Sequence, residues 1–196
     1  MYRNVLVIGA DTLSKITEYK DRATCVLFGD GAGAAVLQAT EEETGVKSCY
    51  LCADGEHGDS LTIPGLRYDD VDQERRPFGN PHTIWMDGGV VFKFAVKMMD
   101  AATRKVLDDA GKTLEDIKLV VPHQANLRII DGARKRLGIP EEKMFANIER
   151  HGNMSAACVP IALCEAVEEG RAGKGDLVVL VSMGGGLTWG GVLIEL

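Results

Sequence analysis

Two short polar motifs in the second half of the chain could do chemistry together. His123 lies in VPHQAN at residues 121–126, and Asn153 lies in RHGNMSAA at residues 150–157. Each motif is expected in a loop between a strand and a helix, where α/β proteins commonly place ligand-binding groups. An imidazole and a carboxamide are both neutral hydrogen-bond donors. Such a pair suits the stabilisation of a thioester oxygen while that oxygen becomes an enolate.

A third loop is predicted at the glycine triplet of residues 184–186. It follows an apolar run, residues 177–183, that is typical of a buried strand. Glycine lets the backbone turn sharply and lets a backbone N–H group approach a substrate closely. We therefore expect this loop to reach the same site as His123 and Asn153.

The spacing of apolar residues predicts the elements that position these loops. Strands are predicted at residues 3–9, 24–28, 34–39, 45–53, 117–121, 177–183 and 187–196. Helices are predicted at residues 90–110 and 127–137, and a third one runs from its cap, Ser155, to about Glu169. The first four strands are consistent with one sheet region. The later alternation of helices and strands favours a layered α/β fold.

A polar stretch from residue 60 to residue 81 separates these two parts and contains several prolines and glycines. Structureless segments of this length are uncommon in compact domains. We interpret it as a functional loop or lid.

The composition limits the classes of function. The 196 residues are 45% hydrophobic and 26% charged, which is typical of a soluble globular protein. A formal charge of −7 argues against a nucleic acid or a membrane surface as the partner. No stretch approaches the ~20 apolar residues of a membrane span, and no signal peptide is recognised. Five cysteines, an odd number, favour a reducing, cytoplasmic location.

Two further motifs invite interpretations that their local pattern does not favour. Cys49 and Cys52 form a C-x-x-C motif, but residues three apart on a strand face opposite sides, and no second pair completes a zinc site. Residues 29–34 fit the G-x-G-x-x-A phosphate turn, which must open a helix, whereas residues 35–37 continue as a strand. The glycines are better explained by tight packing than by a nucleotide-binding site. A nucleotide-binding oxidoreductase stays a rival interpretation, which titration with NAD(P) would test.

The two donors also have structural alternatives. His123 at a strand end could be a histidine that is hydrogen-bonded to the backbone, and Asn153 could be a simple turn residue. His57, His82 and His151 lie in polar, loop-like segments and are expected to be structural or exposed. No pair of histidines has metal-ligand spacing, so no metal is expected.

Five segments together resemble one family. They are DRAT at residues 21–24, FGDGAGA at 28–34, VPHQAN at 121–126, RHGN at 150–153 and GGGLTWG at 184–190. In this order, and over essentially the whole chain, they resemble beta-ketoacyl-acyl-carrier-protein synthase III, a condensing enzyme of the thiolase superfamily. One such segment alone would be a weak signal, whereas five in register are specific.

The resemblance implies a thiolase-like layered α/β fold and a decarboxylative Claisen condensation that initiates fatty acid synthesis. Residues 1–82 would be the end of the N-terminal half with a loop on the substrate side, and residues 83–196 would be the C-terminal half. Acyl-CoA and malonyl-acyl-carrier protein would be the substrates, with no cofactor. Acyl carrier protein and a second copy of the chain, in a homodimer, would be the protein partners.

The resemblance also assigns roles to individual residues. His123 and Asn153 match the donors to the malonyl thioester oxygen, and Gly185 matches a backbone N–H donor to the second oxyanion. Positions that match contacts to substrate, CoA or carrier protein are Arg22, Phe92, Ala95, Gln124, Asn126 and Arg128, of which Phe92 and Ala95 match the wall of the substrate tunnel. Arg128 lies in a basic helix whose charge cluster would otherwise be typical of a solvated face. Gly89 stands where some relatives have asparagine, so one polar contact to the pantetheine arm is expected to be absent.

By the same resemblance, the nucleophilic cysteine of the family lies on a helix upstream of the segment that Met1 begins. We therefore expect a C-terminal portion of the enzyme, which keeps the decarboxylation donors and cannot complete the condensation alone. Two other functions stay open: a non-catalytic module that binds acyl carrier protein or a partner subunit, and a starter condensing enzyme of polyketide synthesis. Acyl loading in the presence of the upstream segment, and product analysis, would separate the three.

Overall fold

The computed structural model describes residues 2–65 and 80–196. The strands in this part of the chain are β1 (Asn4–Thr12), β2 (Asp30–Gln38), β3 (Gly45–Ala53), β4 (Leu61–Thr62), β5 (Trp85–Met86), β6 (Leu119–Pro122), β7 (Leu177–Gly184) and β8 (Thr188–Glu195). Its α-helices are α1 (Gly88–Asp109), α2 (Leu127–Leu137), α3 (Ile148–His151) and α4 (Cys158–Glu168). The order of elements confirms the predicted α/β class.

The central sheet has the strand order β3-β8-β7-β6. Strands β6 and β7 are parallel, whereas β7 and β3 each pair with β8 in the antiparallel sense. The carboxyl ends of parallel strands lie at the same edge of a sheet. His123, just after β6, and the glycine triplet at the end of β7 are therefore neighbours.

Helices cover both faces of this sheet, because alternate strand residues point to opposite faces. On one face, α1 and α2 bury a large apolar cluster that includes Met99, Val106, Ile130, Val179 and Leu193. On the other face, α4 buries a smaller cluster that includes Ala162, Ala166, Val121 and Val178. The sheet forms the middle layer, and the loops that carry His123 and Gly185 project from its edge.

The two long predicted helices are confirmed, and their caps explain their limits. The Asp87 carboxylate accepts hydrogen bonds from the N–H groups of Gly89 and Val90 at the start of α1. Asn126 caps α2 by accepting from Ile129 N–H at 2.9 Å, and α2 ends at Gly138, whose φ is 76°. Asp and Asn are favoured at helix N-termini, and glycine is favoured at helix C-termini.

The expectation that the first four strands share one sheet region is wrong. Within residues 2–65 and 80–196, strands β1 and β2 pair only with each other, in register from Asn4↔Gln38 to Thr12↔Asp30. Strand β3 pairs instead with β8, at the edge of the central sheet. Since β3 precedes residue 82 and β8 follows it, one sheet spans the proposed division of the chain; that division stays a prediction.

The strand predicted at residues 24–28 is also wrong. Residues 22–27 form successive turns, and only Phe28 makes a bridge, to Asn153. The Asp21 carboxylate accepts from Ala23 N–H at 3.0 Å and from the Thr24 hydroxyl at 2.7 Å. Such local hydrogen bonds hold the backbone in turns and override the strand propensity of the apolar side chains.

The predicted loop of residues 60–81 lies largely outside the described residues. Its first described part includes β4, which pairs with β5 in a short antiparallel ladder. Among the helices of the described ranges, none combines the length and the apolar character needed to cross a membrane.

Candidate active site

The loops that carry His123, Asn153 and Gly185 lie on the wall of one cavity. Its volume is about 1010 Å³, and most of its wall is apolar, with contributions from Leu27, Phe28 and β7. A cavity of this size, with a few convergent polar groups, is typical of a small-molecule site. The structure thus brings together the three loops that the sequence singled out.

His123 is held at the end of β6. Its backbone N–H donates to Val181 O on β7 at 2.7 Å, and the side chain is only 7% exposed. Its Nδ1 atom has no hydrogen-bond partner among the described residues. Burial lowers the pKa of His123 to about 4, because the apolar surroundings disfavour the charged ring. The imidazole is therefore neutral near pH ~7 and retains one N–H group as a neutral donor.

Asn153 is fixed through both its backbone and its side chain. Its N–H donates to Leu27 O at 2.8 Å, and its carbonyl oxygen accepts from Gly29 N–H at 2.8 Å. The side-chain Oδ1 accepts from Ser155 N–H at 2.9 Å. Because Oδ1 is used in this turn, Nδ2 is the end of the carboxamide that can donate to a ligand.

The segment after Asn153 departs from its prediction. Ser155 adopts a left-handed φ of 53°, and residues Ser155–Ala157 form a single 3-10 turn before α4 begins at Cys158. Ser155 was expected to cap the helix, but its N–H group is instead bound by Asn153. Left-handed backbone at a non-glycine residue is strained and is often found at functional sites.

The glycine triplet forms the third side of the site. Gly185 lines the cavity, and an added Cβ there would lie 3.1 Å from Leu61 O. Gly186 has a φ of 73°, a conformation that glycine adopts without strain. The predicted sharp turn is present and brings the Gly185 backbone to the cavity wall.

Gln124 does not line the cavity, in contrast to its predicted contact with substrate. It is 0% exposed. Its Nε2 donates to Pro122 O at 2.8 Å and to Phe145 O at 3.3 Å, while Oε1 accepts from Asn147 N–H at 3.0 Å. A carboxamide with these buried partners supports the loops, and a role of Gln124 in binding stays a prediction.

Two residues of α1, Phe92 and Ala95, match the wall of the substrate tunnel by the resemblance. Ala95 is 0% exposed inside the core, and Phe92 is 38% exposed; neither lines the cavity, whereas Val91 and Ile129 do. Val91 is one helical turn before Ala95 and therefore faces the same side, nearer the site. The match of Phe92 and Ala95 to the wall of the substrate tunnel stays a prediction.

The remaining predicted contacts divide between the cavity and the surface. Asn126 lines the cavity while its side chain caps α2. Arg22 and Arg128 are exposed and do not line the cavity. Their roles in binding CoA or a carrier protein stay predictions.

Asp11 and Cys52 also line the cavity, although the sequence analysis assigned neither of them to the site. Asp11 accepts from Ala156 N–H at 3.1 Å and so supports the segment after Asn153. No motif marks Asp11, although it lies near the end of an apolar strand, where ligand groups are common. Cys52 belongs to the C-x-x-C motif, which the sequence analysis did not assign to the site. Within the described ranges, no three His, Cys, Asp or Glu side chains are grouped as metal ligands.

Comparisons with known proteins agree on one family. A family model described as 3-oxoacyl-[acyl-carrier-protein] synthase III C terminal matches residues 107–196, and one described as 3-oxoacyl-[acyl-carrier-protein] synthase III matches residues 1–55. The beta-ketoacyl-[acyl-carrier-protein] synthase III of Caldanaerobacter subterraneus subsp. tengcongensis is 52% identical over 195 residues, which cover 100% of this chain and 59% of that relative. The enzyme of that name from Clostridium perfringens is 50% identical over 194 residues, or 99% of this chain and 60% of the relative.

A solved structure of beta-ketoacyl-[acyl carrier protein] synthase III from Thermus thermophilus superposes with a TM-score of 0.90 at 47% identity, covering 99% of this chain and 59% of that one. This likeness confirms the thiolase-like α/β fold. The chain spans about 60% of the length of the curated relatives that it matches. By sequence and by fold, the chain belongs to the beta-ketoacyl-acyl-carrier-protein synthase III family.

Proposed function

We propose that this chain carries the decarboxylation site of a beta-ketoacyl-acyl-carrier-protein synthase III. The reaction is the condensation of an acyl group from acyl-CoA with malonyl-acyl-carrier protein, which initiates fatty acid synthesis. One observation carries the proposal: His123 and Asn153 line the same cavity, whose wall is mostly apolar. Family membership supports the reaction class.

The chemistry requires the two donors to act together. When the malonyl thioester loses CO₂, the bond between the carboxylate and the α-carbon breaks, and its electron pair forms an enolate with negative charge on the thioester oxygen. His123 N–H and Asn153 Nδ2–H donate to this oxygen. Fixed neutral donors of this kind supply ~3 kcal/mol each to a transition state in a dry site.

The enolate carbon then attacks the carbonyl carbon of the acyl thioester, and the thiolate leaves with the electron pair of the broken C–S bond. The oxygen of the attacked carbonyl becomes negatively charged, and the backbone N–H of Gly185 is proposed to hold it. The β-ketoacyl product remains on the carrier protein. Gly185 fits this role because a glycine allows close backbone approach.

The acyl group itself requires a cysteine thiolate. Of the five cysteines, Cys52 lines the cavity, and none occupies the position of the family nucleophile that the resemblance implies. We propose that these 196 residues alone do not complete the condensation. Intact-mass measurement after treatment with acyl-CoA tests this: stoichiometric acylation together with turnover would contradict it.

The decarboxylation step can be tested without the acyl group. Release of CO₂ from malonyl-CoA is measured for the parent chain and for His123→Ala and Asn153→Ala. Each substitution is expected to lower kcat on the order of 10²-fold, since each removes one donor. The exposed His82 provides the control His82→Ala, which leaves the rate unchanged. Equal rates in all four proteins would reject the proposal and favour a non-catalytic module that binds the carrier protein.

A further inference from the structure

A polar cluster lies behind the loops of the cavity and is centred on Glu165 of α4. The Glu165 carboxylate accepts from Asn147 Nδ2 at 2.8 Å, from Arg150 Nη2 at 2.5 Å, and forms a 2.5 Å hydrogen bond with His151 Nε2. Its side chain is 22% exposed. A carboxylate has two oxygens with about four acceptor sites, so it can bind all three groups at once.

One arm of this cluster leads to Asn153. His151, held by Glu165, precedes Asn153 by two residues. Between them lies Gly152, with a φ of 72°, against Leu27 O. The position of His151 therefore fixes where the chain turns toward the cavity and presents Asn153.

The other arm leads to His123. The Asn147 side chain donates to Glu165, and the Asn147 backbone N–H donates to Gln124 Oε1 at 3.0 Å. Gln124 follows His123 directly and is fully buried, with its Nε2 on Pro122 O and Phe145 O. The Glu165 carboxylate is thus two hydrogen bonds and one peptide unit away from the residue that carries the imidazole.

The charge of Glu165 suits this arrangement. Desolvation raises the pKa of Glu165, but hydrogen bonds from Asn147 and His151 and the nearby charge of Arg150 outweigh it, so the net pKa lies below its usual value. The ionised carboxylate accepts stronger hydrogen bonds than a neutral amide does. Replacement by glutamine would keep the shape and lose the charge.

We propose that Glu165 is a positioning residue, which holds the His123 and Asn153 loops at the separation that a single thioester oxygen requires. Glu165 does not touch the substrate and acts through Asn147 and His151. This inference rests on the proposed function, because it assigns one oxygen atom to both donors. Precise placement matters, because donors that are displaced by about 1 Å lose much of their effect on a transition state.

The first measurement is the kinetics of malonyl-CoA decarboxylation by the full chain. Glu165→Gln is expected to lower kcat about tenfold and to leave KM within about twofold, because the geometry of the donors changes and the cavity does not. Glu169→Gln is the matched control, since Glu169 lies one turn further along and its side chain pairs with the same Arg150 at 2.9 Å. This control should leave both constants unchanged. An unchanged kcat for Glu165→Gln would overturn the proposal.

A double-mutant cycle separates positioning from general stability. His151→Phe removes the ring N–H donor and therefore cuts only the arm that leads to Asn153. It should lower kcat several-fold in the parent chain and by less than about twofold in an Asn153→Ala background, where the positioned group is already absent. A purely structural role would give the same loss in both backgrounds, and that result would contradict the proposal.

A second readout is independent of activity. In NMR spectra, the side-chain amide of Asn153 and the ring of His123 are identified by their loss in Asn153→Ala and His123→Ala. Both resonances should shift in Glu165→Gln and stay in place in Glu169→Gln. A shift confined to His151 would reject the positioning role even if the parent chain did not decarboxylate malonyl-CoA. If both resonances shifted as expected but the parent chain released no CO₂ from malonyl-CoA, the result would reject the proposed function and not the positioning role.

Discussion

Gly29 lies directly against the carbonyl group of His151, so closely that an added Cβ would be 2.5 Å from the His151 oxygen. Gly31, two residues later and on the same side of the extended chain, faces the side chain of Met154 in the same way. The glycines of this segment therefore leave room for the backbone that presents Asn153. This contact explains the G-x-G pattern by tight packing, as the sequence favoured, and the segment continues as the strand β2 and not as a helix.

Gly29→Ala tests this contact. A methyl group at this position must displace the His151 backbone, since the atom it meets cannot rotate away. We expect a loss of about 1–3 kcal/mol in the free energy of unfolding, the usual cost of overpacking, together with a lower rate of malonyl-CoA decarboxylation. Urea unfolding and CO₂ release measure the two effects. Gly173→Ala is the control, because nothing lies within 4 Å of an added Cβ there.

A normal rate in a destabilised Gly29→Ala variant would show that the contact supports folding and not the placement of Asn153. Unchanged stability would show that residues 151–153 move away at little cost. Either outcome contradicts the combined expectation.

The sequence predicted a strand at residues 34–39, but neither its start at Asp30 nor the partners of the glycines nearby. The apolar run and the absence of a helix pattern are local features. The contact with His151 joins residues more than a hundred positions apart, and no local pattern encodes it. At residues 24–28 the local pattern was misleading, since hydrogen bonds from Asp21 hold turns where apolar residues are typical of a strand.

The buried, neutral state of His123 predicts a pH dependence of stability. The folded ring binds a proton only near a pKa of about 4, whereas a histidine in the unfolded chain does so near ~6.5. Between these values the unfolded state binds more protons, so the free energy of unfolding decreases as the pH falls. From about pH 7 to about pH 5 we expect a loss of roughly 2 kcal/mol from this residue.

Urea unfolding of the parent chain and of His123→Gln at both pH values measures this effect. The variant should lose about 2 kcal/mol less than the parent over this interval. His82→Gln, at an exposed position, should behave like the parent. An identical loss in His123→Gln and the parent would show that the ring is not buried in the neutral form.

Gln124 illustrates which part of the site the sequence could not assign. The resemblance to the family matched Gln124 to a contact with substrate, CoA or carrier protein. Whether a loop side chain points into a cavity or into the core depends on the backbone of the loop and on distant acceptors such as Phe145 O. Residue type and spacing therefore predicted the donors and the loops. The residues that support these loops could be identified only from the structure.

We therefore expect Gln124→Ala to lower the free energy of unfolding, with no direct effect on substrate binding. The substitution leaves Pro122 O, Phe145 O and Asn147 N–H without their partner in the interior. Each buried group without a partner costs about 1–3 kcal/mol when water cannot replace the bond, so we expect the three groups together to lower the free energy of unfolding by at least about 3 kcal/mol. Gln38→Ala, at an exposed strand end, is the control. A fully stable Gln124→Ala variant with weaker substrate binding would instead support a contact between Gln124 and substrate.

Arg128 offers a prediction about the proposed carrier-protein partner. It is exposed near the start of α2, whereas Arg134 and Lys135 of the same helix pair with Asp131. An exposed basic group attracts an acidic partner mainly through long-range charge. Arg128→Glu should weaken binding of acyl carrier protein on the order of tenfold at low ionic strength, as measured by calorimetry. The effect should largely disappear at ~1 M salt, where the screening length is about 3 Å.

Lys135→Glu, near the other end of the helix, is the control and should change the affinity less. If the loss at Arg128 persisted at high salt, the contact would be a short-range hydrogen bond; if no loss occurred, the carrier protein would bind elsewhere.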